Sequence, residues 1–254
     1  MISSNRLRTS VAPTKVELVT VVHRFIVPPF EIVERTMNRL PKLVEFFNAC
    51  ISERGASLAF AAVQVASWYT PATLSRLIGA SQSQIRMAAS WGLGLIGDET
   101  HLIPLGYLLR DDVRGVRSAA DDARRSILFR TQSPWHRRTA EEIEDFLASS
   151  ELSKASHLAD QLVEETELRS DAYLLRAWVR FCNAQWDSAI DDCKKTLTID
   201  PFCYRACIAL GQCFWHKNRN AAARECFYES MRLYPDFEPA HVALRALPGS
   251  QSLA

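Results

Sequence analysis

Glycine is scarce, nine residues in a chain of 254, and segments that alternate polar with apolar residues are few. Both shortages argue against a sheet-rich or doubly wound fold. An excess of either charge is also missing: 30 Lys and Arg face 29 Asp and Glu, leaving a formal charge of +1. No global field therefore draws the chain to nucleic acid or to an anionic membrane surface, and a charge-driven partner has to meet a local patch. No apolar run reaches the ~18 residues of a membrane span, and MISSNRLRTSVAPTKVELVTVVHRF has neither the apolar centre nor the cleavage site of an export signal. The seven cysteines are an odd number without a CxxC pair, which favours reduced thiols. The expectation is a soluble, cytoplasmic protein.

Catalytic signatures are missing as well. The six histidines form no HxxxH and no His-Glu dipeptide, and there is no GxSxG elbow or P-loop. GLGLIG has the GxGxxG spacing at Gly92, Gly94 and Gly97, but it closes a helical run instead of following a strand, so these glycines are expected to serve close packing and helix termination. In WDSAIDDCKKTLTIDP, Asp191, Asp192 and Cys193 invite a metal reading. Successive helical residues diverge by ~100°, so Asp191 and Cys193 do not readily share one ion. Cys203, Cys207, Cys213 and His216 invite zinc in the same way, yet free cysteine on a helix commonly packs as a small apolar residue. No metal and no cofactor are expected.

Ala, Leu, Arg and Glu are common throughout, which predicts a mostly helical chain. Shifting the sequence by 34 residues aligns Ala155, Ala189 and Ala223; Leu158, Asp192 and Cys226; Val163, Leu197 and Met231; and Pro201 with Pro235. In CIALGQCF and AARECFYESMRLYP, the spacing of Cys207, Leu210, Gly211, Phe214, Ala223, Phe227 and Pro235 resembles the tetratricopeptide signature. The resemblance covers residues 136–248. It implies antiparallel helical hairpins in which Gly211 and Ala223 permit close approach and Pro235 ends a helix. The preceding unit keeps Tyr173, Ala177, Ala189 and Pro201 but has Arg176 and Arg180 at usually apolar positions. A further unit upstream, His136 to Glu167, keeps Ala155, and EPAHVALRAL reads as a capping helix. Within this frame WDSAIDDCKKTLTIDP is a second helix, with Cys193 as core filler and its charges facing solvent.

In the middle of the chain a shift of 31 superposes Ile85, Arg86, Ala88 and Ala89 on Val116, Arg117, Ala119 and Ala120. Together with the Gly97-Asp98 turn and the early prolines Pro71 and Pro104, this pattern resembles short HEAT-like repeats of the phycobilin-lyase type. It is expected over residues 30–130, joined to the second array by RTQSPWHRRT, in which Ser133-Pro134 breaks the helix. For residues 1–29 a short packed helix is favoured over a strand.

The fold class expected is thus all-α, a solenoid of HEAT-like hairpins followed by tetratricopeptide hairpins. The tetratricopeptide resemblance implies a concave face built from the first helix of each repeat, here Leu174, Trp178 and Phe181, then Arg205, Ile208, Gln212 and Trp215. These positions are rich in large apolar side chains, which anchor peptides or helices. Only Arg205 suits the basic clamp with which one subtype captures acidic chaperone tails. The function expected is a non-catalytic protein-protein interaction scaffold that takes a peptide or helix of a partner, with Trp178 and Trp215 as anchors. Two alternatives belong to other classes. One is a HEAT-repeat lyase-like enzyme or its accessory factor. The other is nucleic-acid binding through residues 110–138, where Arg114, Arg117, Arg124, Arg125, Arg130, Arg137 and Arg138 alternate with Asp111, Asp112, Asp121 and Asp122.

Overall fold

The helical signal is realised throughout the described residues, which are 42–52, 57–166 and 168–247 of the computed structural model. They hold 13 α-helices and no strand. Contacts divide the chain into Met1–Arg39 and Leu40–Ala254, and every described residue belongs to the second unit. The conformation expected for residues 1–29, and the start of the first array at residue 30, lie outside the described residues.

The helices are α1 (Lys42–Ser52), α2 (Leu58–Trp68), α3 (Pro71–Leu77), α4 (Ser83–Ile96), α5 (Leu102–Tyr107), α6 (Arg114–Thr131), α7 (Pro134–Ala148), α8 (Leu152–Glu165), α9 (Ser170–Cys182), α10 (Trp186–Ile199), α11 (Tyr204–His216), α12 (Asn220–Leu233) and α13 (Glu238–Ala246). From α7 onward each helix packs on the next in the chain, and the first helices of successive hairpins (α7, α9, α11, α13) also touch. Their order is that of a solenoid. The breaks follow local chemistry. Thr70 and Ser133 accept the backbone N–H three residues ahead, and Pro71 and Pro134 occupy the first turns that follow.

The 34-residue period is written into the hydrogen bonds. Ser150, Ala184 and Asn218, each 34 from the next, are the non-glycine residues with positive φ among the described residues, at 62°, 57° and 59°. After each of them the chain turns back identically: the N–H groups of Glu151, Gln185 and Arg219 donate to the carbonyls of Phe146, Arg180 and Phe214 at 2.8–2.9 Å. The buried hydroxyls of Thr196 and Ser230 likewise reach the first-helix carbonyls of Ser170 (3.5 Å) and Tyr204 (2.9 Å). The same repeat positions pack in each hairpin, Ile143, Ala177 and Gly211 on first helices and Ala159, Cys193 and Phe227 on second helices, large against small in the first and third and small against small in the second. A Cβ on Gly211 would stand 2.4 Å from the Phe227 ring, so the largest partner requires the smallest. Cys193 is fully buried beside Ala177 and Ala209, the place expected of a core filler.

The charges of α10 are a different matter. Asp191 is exposed, but Asp192 is buried, where the sequence pointed to a solvated face. Arg176 grips its carboxylate through Nε (3.0 Å) and Nη2 (2.8 Å), and Arg180 adds a contact at 2.8 Å. Both arginines also reach Asp160 of α8. One repeat later the three positions are Leu210, Phe214 and Cys226, so an ionic cluster here replaces an apolar one.

The 31-residue period recurs in side-chain contacts. Arg86 of α4 donates to Asp111 through Nε (2.7 Å) and Nη2 (2.8 Å), and through Nη1 to the carbonyls of Ala80 and Ser81. Arg117 of α6 donates to Asp236 through the same two nitrogens (2.7 and 3.0 Å), and through Nη1 to the carbonyls of Asp111 and Asp112, 31 residues beyond 80 and 81. The second aspartate lies 119 residues away, between α12 and α13. Gly92 and Gly94 bring α4 against Leu74 and Ala123, and Gly97 ends α4.

Helix α6 thereby lies along one edge of the 34-residue array. Leu128 accepts from Arg169 and Gln132 donates to Asp171, ahead of α9 and at its start. Arg124 pairs with Asp200 (2.5 Å) ahead of α11 and Asp121 accepts from Tyr204 (2.8 Å) at its start, and Arg117 meets Asp236 ahead of α13. Moving back along α6 from Gln132 and Leu128 through Arg124 and Asp121 to Arg117 thus moves forward through the array, one turn at a time. The seam is sealed by Leu109, Ala120, Phe202, Tyr204 and Leu233.

Candidate functional site

Because α6 turns into α7 beside the array, it walls a groove whose other side is made by α9, α11 and the turn into α13. The volume is about 530 Å³, and among the lining residues are Leu174, Trp178, Arg205 and Ile208 together with Leu128 and Phe129. Four of the seven residues expected on the concave face are therefore brought together. Trp178 is 43% exposed at its mouth and stacks on Phe181 (5.4 Å between centroids, 8° between planes). Phe181 does not line the groove; its edge meets Trp186 and His216.

Gln212 and Trp215 stand apart from this groove. Trp215 is partly buried against the cluster of Ile208, Phe227 and Ala240, and Gln212 Oε1 is buried without a hydrogen-bond partner among the described residues. The next hairpin stacks on α11 through α13 and covers this end of the face. Trp215 thus has neighbours inside the fold, whereas Trp178 presents its indole to solvent.

The polar wall is tied together by hydrogen bonds. Asp171 accepts from Arg169 at both oxygens (3.0 and 3.1 Å) and from Gln132 (2.7 Å). Burial opposes its ionisation, but these hydrogen bonds hold the carboxyl below its usual range. His136 lies behind it, 2% exposed, with Nε2 3.5 Å from Asp171. Burial pushes this histidine below its ordinary value despite the aspartate, so it is neutral near pH 7. Arg205 is exposed on the opposite wall, and among the described residues it makes no ion pair. The thiols of Cys193 and Cys207 lie elsewhere, in the core. Burial pushes both up, Cys207 to about 12, so they pack as small apolar groups.

The α6–α7 wall was not foreseen from sequence. Its signal was Phe129, a large apolar residue on the exposed side of a helix otherwise rich in Arg and Asp.

No family model matches the chain, and no curated protein matches it. Solved structures do resemble it. The Arabidopsis OM64 TPR domain shares 20% identity over 43% of this chain and 91% of that one, with a TM-score of 0.42. The Sgt2 TPR domain from Aspergillus fumigatus shares 19% over 44% and 76%, with a TM-score of 0.43. The Yersinia enterocolitica type III secretion chaperone SycD, in complex with a peptide of the translocator YopD, shares 16% over 45% and 93%, with a TM-score of 0.42. The hairpin period itself stands on the recurrences inside the chain.

Proposed function

We propose that this chain is a non-catalytic protein-interaction scaffold, a HEAT-like array over residues 30–130 continued by a tetratricopeptide array over 136–248. Its partner site is the groove where a peptide or helix of another protein docks against Leu174, Trp178, Arg205 and Ile208, with Phe181 supporting Trp178 from behind. The observation that carries this reading is the exposed Trp178, held by Phe181 at the mouth of a preformed cleft: a rigid indole beside an open apolar groove buries much area on docking at little entropic cost. Gln212 and Trp215 serve the stacking of α11 on α13. An odd number of cysteines without a CxxC pair supports a reducing, cytoplasmic setting for it. Among the described residues no helix is long and apolar enough to cross a membrane.

The competing classes draw less support. The arginines that would make residues 110–138 a nucleic-acid surface are largely engaged within the fold: Arg117 with Asp236, Arg124 with Asp200, and Arg125 with Asp121 and Asp122. For a lyase-like enzyme the groove has one acid–base pair, His136 with Asp171, and no Ser, Thr or Cys among its lining residues to act with it.

Crosslinking followed by purification of the captured protein tests the scaffold. Binding of that purified partner is expected to weaken at least tenfold in Trp178→Ala, with the melting temperature unchanged. Trp215→Ala is expected to lower the melting temperature instead. Full partner binding by a folded Trp178→Ala chain would remove the groove from consideration.

A further inference from the structure

A second, larger groove lies on the opposite side of Phe129. It has a volume of about 780 Å³ and is bounded by α1 and α2 on one side and α4 on the other, with α6 as its floor. The lining is mainly apolar. Ile51 and Leu58 at its edge are 62% and 70% exposed, and Phe129, which also lines the first groove, is 58% exposed.

The dimensions select a shape. A helix ~10 Å across that rises 1.5 Å per residue fills roughly 120 Å³ per residue, so half-sinking one into this volume accommodates about 13 residues. The floor, from Gly115 to Phe129, is ~21 Å long by the same rise, which is about 14 residues. The two figures agree, and a trough with a floor of small side chains between bulkier walls is the form that takes a helix by its apolar face.

The charges select a sign. Three charged side chains line the trough: Asp122, Arg130 and Arg137. Asp122 is matched by Arg125. The guanidinium of Arg137 sits 5.1 Å above the Phe129 ring, and Arg130 donates to the carbonyls of Gly94 and Gly97. Neither arginine makes an ion pair with a carboxylate among the described residues. The trough therefore carries excess positive charge at the end where Phe129 stands.

We propose that this trough is a second docking site, specific for an amphipathic helix of another protein that lays its apolar face on α6 and carries carboxylates along one flank to meet Arg130 and Arg137. It needs neither Trp178 nor any other part of the first groove except Phe129.

The test uses the full chain and two fluorescein-labelled helical peptides with the same leucine face, one flanked by glutamates and the other by lysines, measured by anisotropy. The glutamate peptide is expected to bind at least tenfold more tightly than the lysine peptide. Ser118→Trp, which fills the trough from an exposed position, and Arg137→Glu are each expected to weaken it at least tenfold, whereas Trp178→Ala leaves it unchanged. Equal binding of the two peptides, no binding of either, or indifference to both Ser118→Trp and Arg137→Glu overturns the proposal. Loss with Trp178→Ala alone also overturns it and assigns the peptide to the first groove. A benzophenone side chain at position 118 completes the test: if, without peptide, it crosslinks mainly to its own chain or to a second copy, the trough has another occupant and the proposal fails.

Discussion

At the scale of single residues, the divergent middle repeat shows that three positions act as one. Arg176, Arg180 and Asp192 stand where the next repeat has Leu210, Phe214 and Cys226: the first set, with Asp160, balances charge, and the second fills space. Asp192→Ala would leave two arginines facing the hairpin core with only Asp160, itself half exposed, to compensate them. It is expected to lower stability by about 2–3 kcal/mol, below the 3–5 of a fully buried broken pair because Asp160 remains. The triple replacement Arg176→Leu, Arg180→Phe, Asp192→Cys, which copies the next repeat, is expected to restore most of that loss in urea unfolding, although it changes more atoms. If the triple variant is less stable than Asp192→Ala, the three positions do not interchange as a set.

At the scale of helices and turns, the hairpins depend on a left-handed residue at each bend. Asn218 takes that conformation readily, but Ala184 does so at the cost of the Cβ–carbonyl clash. Ala184 is exposed and its turn is otherwise satisfied, so Ala184→Gly is expected to raise stability by roughly 0.5–1 kcal/mol, the relief of strain less the added freedom of the unfolded chain. The urea midpoint reads this directly. Such features explain how much could be seen in sequence. Helix order, the close approach at Gly211 and four of the groove residues were legible because they join neighbours at a constant offset. The edge helix was not, because its partners lie 39, 76 and 119 residues away and the periods of 31 and 34 never come into register. Asp192 was misjudged for a related reason. A helical aspartate is normally solvated, and only its two arginine partners, themselves out of character, reveal otherwise.

At the scale of the molecule, the α6 edge ties the arrays together through groups that respond to acid. The hydrogen bond from Arg117 holds Asp236 below the usual carboxylate range, and Asp171 is held low by Arg169 and Gln132 against its burial. Their contribution to stability is fully present above the unfolded value near 3.8 and is lost as pH falls through their folded values. His136 acts higher on the scale. Buried and neutral, it resists a proton that the unfolded chain accepts below about pH 6.5, so stability declines as pH falls from about 7 toward 5. Calorimetry across pH is expected to show two stages of falling melting temperature, the upper one flattened in His136→Asn and the lower one reduced in Asp236→Asn; a flat profile between pH 7 and 5 in the unsubstituted chain would contradict the burial of His136. The pairing of Arg117 with Asp236 also has a consequence for biosynthesis. As the chain leaves the ribosome, the first array is finished long before Arg117 can find its aspartate, which emerges 119 residues later. The edge of α6 is therefore covered in stages during synthesis, first at Gln132 and Leu128, then at Arg124 and Asp121, and at Arg117 only when Asp236 has emerged.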